Sequence, residues 1–417
     1  MKLMYILPLL LIASLCYSYP IDGYKYTGID RLAYQYKVYR DSNLVSRLKD
    51  GSFLMMDDIR LNLLGVGSNW PSQDEKMQRE IDGIFRYLEP QYSLSIMDVT
   101  DPNNVKYAGR KENVGYQPGS VGKIAAAIAL FAELGKIYGD DWEAIRALLY
   151  TKEVKGNEFV VSDHHTVPLY DIKKDKYTNR IVLQSDVFSL YEWLDHMFSK
   201  SSNAAASVIM REVILLHAMD THYECASLEE MEELFEITDR RVLAGLSEDL
   251  INCPLRDLGI DEDEWKLGGF FTPGAERYVP RQGGSIGSTK GLMKYMHAME
   301  RGKVINERSS LELKRMMYMT DRRIRYAGAR AIAGDAVYFK SGSLYSFKDE
   351  PGFVKRKYAG NRYNYMNSIA IVEKKDSTRR KYMVALMSNV LRKNSVAEHY
   401  GLATQMDKLI AKLGEDK

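Results

Sequence analysis

The sequence predicts an α/β fold in which a sheet assembled from both ends of the chain encloses a long helical insertion. Three observations predict it. Strand-like runs occur at residues 92–99 and 105–109 and again at 336–344, 366–372 and 382–389. The stretch between the two groups, from residue 119 to about 319, is largely helical in its apolar spacing. The chain has 417 residues, 45% of them hydrophobic, which is ample for one large domain or two intimate ones.

Residues 1–18 read as a secretory signal: Lys2 supplies the positive start, residues 3–15 are apolar, and Cys16-Tyr17-Ser18 offers a cleavage point after Ser18. The expectation is an exported protein, periplasmic or extracellular. The apolar run is short for a membrane span, and no later segment approaches one. A lipid anchor at Cys16 is the less favoured alternative, because Leu15 is bulkier than such processing sites prefer.

Residues 19–71 form an N-terminal extension rich in tyrosine (Tyr19, Tyr24, Tyr26, Tyr34, Tyr36, Tyr39). Such rings can stack on sugars, which would suit peptidoglycan, but packing onto the main body is the simpler expectation. The main domain is placed at 72–417, its sheet half at 72–118 and 332–417 and its helical half at 119–331. Its first element is an amphipathic helix over 74–88, with Met77, Ile81, Ile84, Phe85 and Leu88 on one side. Asp101-Pro102-Asn103-Asn104 turns the first pair of strands into a hairpin. An amphipathic tail over 396–413 closes the chain.

A net charge of +2 spread along the sequence leaves no nucleic-acid footprint. Cys225 and Cys253 remain after removal of the signal, and sequence alone leaves their pairing open. His164-His165 reads as an exposed loop. No cysteine or histidine group has zinc spacing, so neither a metal nor a cofactor is expected.

The most informative stretch is Gln117-Pro118-Gly119-Ser120-Val121-Gly122-Lys123, which opens a helix whose following residues are apolar on most faces. Residues i and i+3 share a face, so the Ser120 hydroxyl and the Lys123 amine can meet at the helix start. A poorly solvated lysine loses its proton readily and can then activate a hydroxyl. The motif alone is weak: about one or two S-x-x-K matches arise by chance in a chain this long, and Ser46-Arg47-Leu48-Lys49 is a second, in a polar stretch. Two further motifs lie downstream. Ser201-Ser202-Asn203 precedes an alanine-rich apolar run, and Lys340-Ser341-Gly342 sits inside the strand-like run 336–344.

S-x-x-K, S-x-N and K-[ST]-G in this order form the signature of class A β-lactamases and penicillin-binding proteins. The chain therefore resembles the penicillin-recognising serine hydrolases. The resemblance implies an antiparallel five-stranded sheet flanked by helices, packed against an all-helical subdomain, with the site in the cleft. It implies that Ser120 attacks an amide carbonyl, that Lys123 takes or relays its proton, and that Ser201 passes a proton to the leaving nitrogen. Asn203 would hold the substrate amide. Lys340 would add positive charge, Ser341 would bind the substrate carboxylate, and Gly342 would let the strand approach the substrate. The backbone N–H groups of Ser120 and Ser343 would form the oxyanion hole. Ser202 stands where class A enzymes commonly carry aspartate.

Class A enzymes also carry an E-x-x-L-N loop whose glutamate activates the deacylating water. Glu264-Trp265-Lys266-Leu267-Gly268 matches it except at Gly268, which makes Glu264 the candidate base and inclines the reading toward a β-lactamase. A solvated acidic run is the competing account of Asp261-Glu262-Asp263-Glu264. The substrate expected is a β-lactam or a D-alanyl peptide. If Glu264 is not the base, a D,D-peptidase or a cell-wall sensor with a long-lived acyl adduct is expected instead.

Overall fold

All five strand-like runs form strands of one antiparallel sheet: β1 (Tyr92–Asp98), β2 (Lys106–Arg110), β3 (Ala336–Ser346), β4 (Tyr363–Glu373) and β5 (Lys381–Asn389), in spatial order β2-β1-β5-β4-β3. The structure is a computed structural model that describes residues 20–41, 51, 53–320 and 323–415. The signal segment, Cys16 and the motif at Ser46–Lys49 lie outside the described residues.

The helices that shape the molecule are α1 (Asp30–Asp41), α2 (Glu75–Phe85), α3 (Lys123–Tyr138), α4 (Leu190–Ser199), α5 (Asn203–Met219), α6 (Arg240–Asp257), α7 (Thr289–Glu300), α8 (Glu307–Tyr318) and α9 (Val396–Glu415). Side chains alternate across a strand, and here both faces of the sheet are covered. Val337, Phe339, Val372, Val384 and Leu386 join Met77, Ile81 and Phe85 of α2 and Leu402, Met406 and Leu409 of α9. Tyr338, Ile369, Ile371, Met383 and Ala385 join the core of the helical half. Covering on both sides explains why these strands read as continuous apolar runs. Lys340 and Gly342 follow Tyr338 at two-residue steps, so the third motif falls on the face turned to the helical half.

Helix α3 explains its own composition: every residue from Lys123 to Leu134 is buried. A helix apolar all round is stable only when wrapped by others, and α5 and α6 wrap this one. The expected all-helical half over 119–331 is corrected: among the described residues it also carries three two-stranded ribbons. These pair Glu153–Lys155 with Val187–Ser189, Thr166–Asp171 with Lys176–Ile181, and Trp265–Lys266 with Ile286–Gly287. The longest carries Val167, Tyr170, Tyr177, Thr178 and Ile181, the β-branched and aromatic residues that favour strands.

The tyrosine-rich segment packs on the body through specific contacts. Arg31 is buried, and its Nε donates to Asp195 Oδ2 of α4 at 2.5 Å. Tyr34 stacks on Tyr177, with ring centroids 4.3 Å apart. The Tyr26 hydroxyl donates to Glu312 Oε2 at 3.2 Å, so α8 is tied to the same segment. Lys314 of α8, fully buried, pairs with Glu300 at 2.6 Å and Glu373 at 2.7 Å, joining α7, α8 and β4. Losing one partner of such a pair strands a buried charge at about 3–5 kcal/mol. Cys225 and Cys253 are both free, exposed thiols. Among the described residues, no helix is long and apolar enough to cross a membrane.

Candidate active site

The three motifs converge on one cleft of about 650 Å³ between the β3 edge and the helical half. Ser120 lies in a single 3-10 turn, Gly119–Gly122, immediately before α3. Residues i and i+3 eclipse in that geometry, which keeps Ser120 and Lys123 on one side. Gly119 has φ +56°, and a Cβ there would stand 2.8 Å from the Ser343 backbone nitrogen. A Cβ on Gly342 would lie 2.2 Å from the Pro118 oxygen and 2.9 Å from the Ser120 nitrogen. Only glycine at these two positions lets β3 and the Ser120 turn come into backbone contact. That contact sets the backbone nitrogens of Ser343 and Ser120 against Gly119 and Gly342, and both serines line the cleft.

Lys123 is fully buried, and its Nζ donates to the Ser201 carbonyl and to Asn203 Oδ1, the latter at 2.7 Å. The Phe271 ring stands 5.1 Å away. Burial disfavours the ammonium form and lowers the Lys123 pKa to about 7, with Asp163 pulling the other way. Asn203 therefore presents its carbonyl oxygen, not its amide nitrogen, to Lys123.

Lys340 donates to Ser201 Oγ at 2.8 Å. Burial first, then the charges of Lys123 and Arg325, hold its pKa well below the ordinary lysine range. Ser201 adopts φ +62°, a left-handed conformation uncommon outside glycine, between α4 and the start of α5. This puts its carbonyl on Lys123 and its hydroxyl on Lys340, so one residue connects both lysines. Ser341, Gly342 and Ser343 line the cleft beside it.

Two residues at the site had no readable signal in the sequence. Asp163, in the segment expected to be an exposed loop, accepts from Ser202 Oγ at 2.9 Å and from the Ala204 N–H at 2.8 Å. Ser202 in turn caps α5 by accepting from the Ala205 N–H at 3.1 Å. A carboxylate from a distant loop thus braces the second motif, in which serine replaces the usual aspartate. Asp163 is held well below the ordinary carboxylate range: its bonds to His165 and Ala204 outweigh the opposing effect of burial. Its partner His165, bonded at 2.6 Å, and the exposed His164 lie on that loop, which lines the cleft. Arg325 is the other addition. It is buried, has φ +52°, and donates to the Gly342 carbonyl at 2.9 Å, which places a guanidinium against the third motif.

Glu264 is the one candidate that the structure does not bring to the cleft. Its Oε2 accepts from the Asp261 N–H at 3.0 Å and pairs with Lys294 of α7 at 2.6 Å. It closes its own turn and anchors that turn to a helix. The residue after Leu267 is glycine for a local reason: a Cβ on Gly268 would come within 2.8 Å of the Gly283 oxygen. Leu267, Gly269, Phe270 and Phe271 line the cleft, and the Phe271 ring is the one that stands over Lys123. Among the described residues lining the cleft there is no aspartate or glutamate.

Comparison with solved structures extends over most of the chain. The fold is similar to that of a class A β-lactamase from Bacteroides cellulosilyticus DSM 14838, at 15% identity and a TM-score of 0.53, over 83% of this chain and 100% of that one. TLA-3 extended-spectrum β-lactamase matches at 12% identity and a TM-score of 0.52, over 82% of this chain and 98% of its own. PBP-A matches at 12% identity and a TM-score of 0.49, over 84% and 100%. No family model and no curated protein sequence matches the chain. The chain has the fold of the penicillin-recognising serine hydrolases, the serine β-lactamases among them.

Proposed function

We propose that this protein is an exported serine hydrolase whose Ser120 is acylated by β-lactams or D-alanyl peptides, and that it releases the acyl group slowly, as a penicillin-binding protein does. The observation that carries the reading is the connected set Lys123–Ser201–Lys340 beside Ser120, in a cleft whose described lining holds no carboxylate. Lys123, neutral in a large fraction of molecules near pH 7, accepts the Ser120 proton as the hydroxyl oxygen attacks the amide carbonyl. The N–H groups of Ser120 and Ser343 receive the oxyanion, a contribution of about 3 kcal/mol for each such donor. Ser201 gives its proton to the leaving nitrogen and is resupplied through Lys340 or Lys123. The substrate carboxylate lies at Ser341, with Lys340 and Arg325 supplying positive charge.

Hydrolysis of the acyl-enzyme needs a base for water, and the described lining of the cleft offers no carboxylate for that role. Glu264 is committed to Lys294, and the Phe271 ring stands over Lys123. The test is labelling with a fluorescent penicillin on a denaturing gel. The proposal expects one labelled band that disappears in Ser120→Ala and is competed by unlabelled drug. Labelling that survives Ser120→Ala, or none in the native protein, contradicts it.

A further inference from the structure

Strand β4 carries a polar exception on the face it turns to the helical half. Ile369 and Ile371 join the core there, and Asn367, two residues earlier on the same face, is fully buried among the described residues. Asparagine is depleted in strands, and burying its amide costs free energy wherever an end is left unbonded. Only one end is bonded among the described residues: Nδ2 donates to the Gln117 carbonyl at 2.9 Å, while Oδ1 is buried without a partner. Stability alone would favour valine or isoleucine at this position. The one bond goes to the segment that delivers Ser120. Gln117 and Pro118 belong to no strand, so ladder bonds do not fix them, and proline has no N–H to offer. Gln117 passes the constraint onward, its own Oε1 accepting from the Gly119 N–H at 3.0 Å. Asn367 also stands opposite Gly342 in the β3–β4 ladder, and the space a side chain at 342 would fill holds the Pro118 oxygen and the Ser120 nitrogen. The sheet thus holds the approach to Ser120 from beside and from below.

We propose that Asn367 is a positioning residue for acylation: through Gln117 and Gly119 it sets the backbone of Ser120, and with it the nucleophile and the Ser120 N–H that receives the oxyanion. The proposal rests on the acylation of Ser120 argued above. Its effect belongs to the transition state, because drug held in the cleft before attack does not need the Ser120 turn in register. In Asn367→Val the maximal acylation rate with benzylpenicillin, read by rapid-quench intact mass, should fall about tenfold to a hundredfold, the scale of a misplaced nucleophile or oxyanion donor. The dissociation constant of the first complex should stay within about twofold. An arylboronic acid, which takes Ser120 Oγ onto boron as a tetrahedral anion, should lose affinity by the same factor as the rate. The melting temperature should not fall, which separates positioning from support of the fold, and the rise of the rate across neutral pH set by Lys123 should keep its place. Gln117→Met removes the acceptor of the Gly119 N–H while leaving Asn367 in place, and should slow acylation likewise. If Asn367→Val does not fold, this second variant decides by the same reading. A maximal rate within about twofold of native in the folded variants, or a loss carried by the dissociation constant alone, overturns the positioning role and leaves acylation standing. Absence of any Ser120 adduct in the native protein overturns the acylation reading itself, and this proposal with it.

Discussion

Lys123 should make acylation of Ser120 switch on across neutral pH. Its amine is fully buried, bonded to the Ser201 carbonyl and Asn203 Oδ1 with Phe271 alongside, and its pKa is lowered from 10.5 to about 7. That displacement corresponds to about 5 kcal/mol of preference for the neutral amine relative to water. A base with pKa near 7 is deprotonated in about 10% of molecules at pH 6 and about 90% at pH 8, so the acylation rate should rise about tenfold over that interval and then level off. An ordinary lysine would be neutral in fewer than about one molecule in a hundred at pH 8. The assay is the maximal acylation rate at saturating benzylpenicillin by rapid-quench mass spectrometry from pH 5 to 10. Saturation separates Lys123 from Lys340, whose loss of charge at higher pH weakens carboxylate binding. Lys123→Ala should lower the rate by about 10²- to 10⁴-fold and abolish the inflection. A rate flat from pH 6 to 8, or one still climbing above pH 9, would refute the assignment of Lys123 as the base.

Gly342→Ala places a methyl group 2.2 Å from the Pro118 oxygen and 2.9 Å from the Ser120 nitrogen. It should lower stability by about 1–3 kcal/mol and slow acylation at least tenfold, and a variant with native labelling kinetics would show that the two backbones are not in contact. Arg31→Ala leaves Asp195 buried without its guanidinium partner and should cost about 3–5 kcal/mol in urea denaturation. A loss below about 1 kcal/mol would mean that the tyrosine-rich segment is not part of the folded body. Glu264→Gln should leave the lifetime of the acyl adduct unchanged within about twofold, because Glu264 serves its turn and Lys294. A tenfold longer lifetime would restore it as the deacylating base.

The fold and the three motifs of the candidate site were legible in the sequence for a physical reason. Strands covered on both faces and a helix wrapped all round, such as α3, announce themselves by composition. Ser120, Lys123, Ser201 and Lys340 announce themselves by spacing, because a turn, a cap and a strand set their positions locally. Asp163 is invisible in one dimension: it meets Ser202 only because a loop 39 residues away folds back onto the start of α5. Arg325 is equally silent, since its value to the site comes from a left-handed backbone and a bond to Gly342. Glu264 misled for the opposite reason. Its E-x-x-L context was present, but a glutamate three residues after Asp261 also closes a turn on its own backbone, and that local bond prevailed. The short ribbons in the helical half were missed because their pairing partners are fixed by tertiary contacts rather than by pattern.

The most direct test of the central claim is the lifetime of the Ser120 acyl-enzyme. The protein would be mixed with a slight excess of benzylpenicillin and followed by intact mass spectrometry and by the absorbance of the intact lactam, with Ser120→Ala in parallel. The account predicts a stoichiometric adduct on Ser120 that persists long after it forms, with little further consumption of drug. Rapid, complete loss of the lactam with no lasting adduct would contradict it and require an efficient deacylating base.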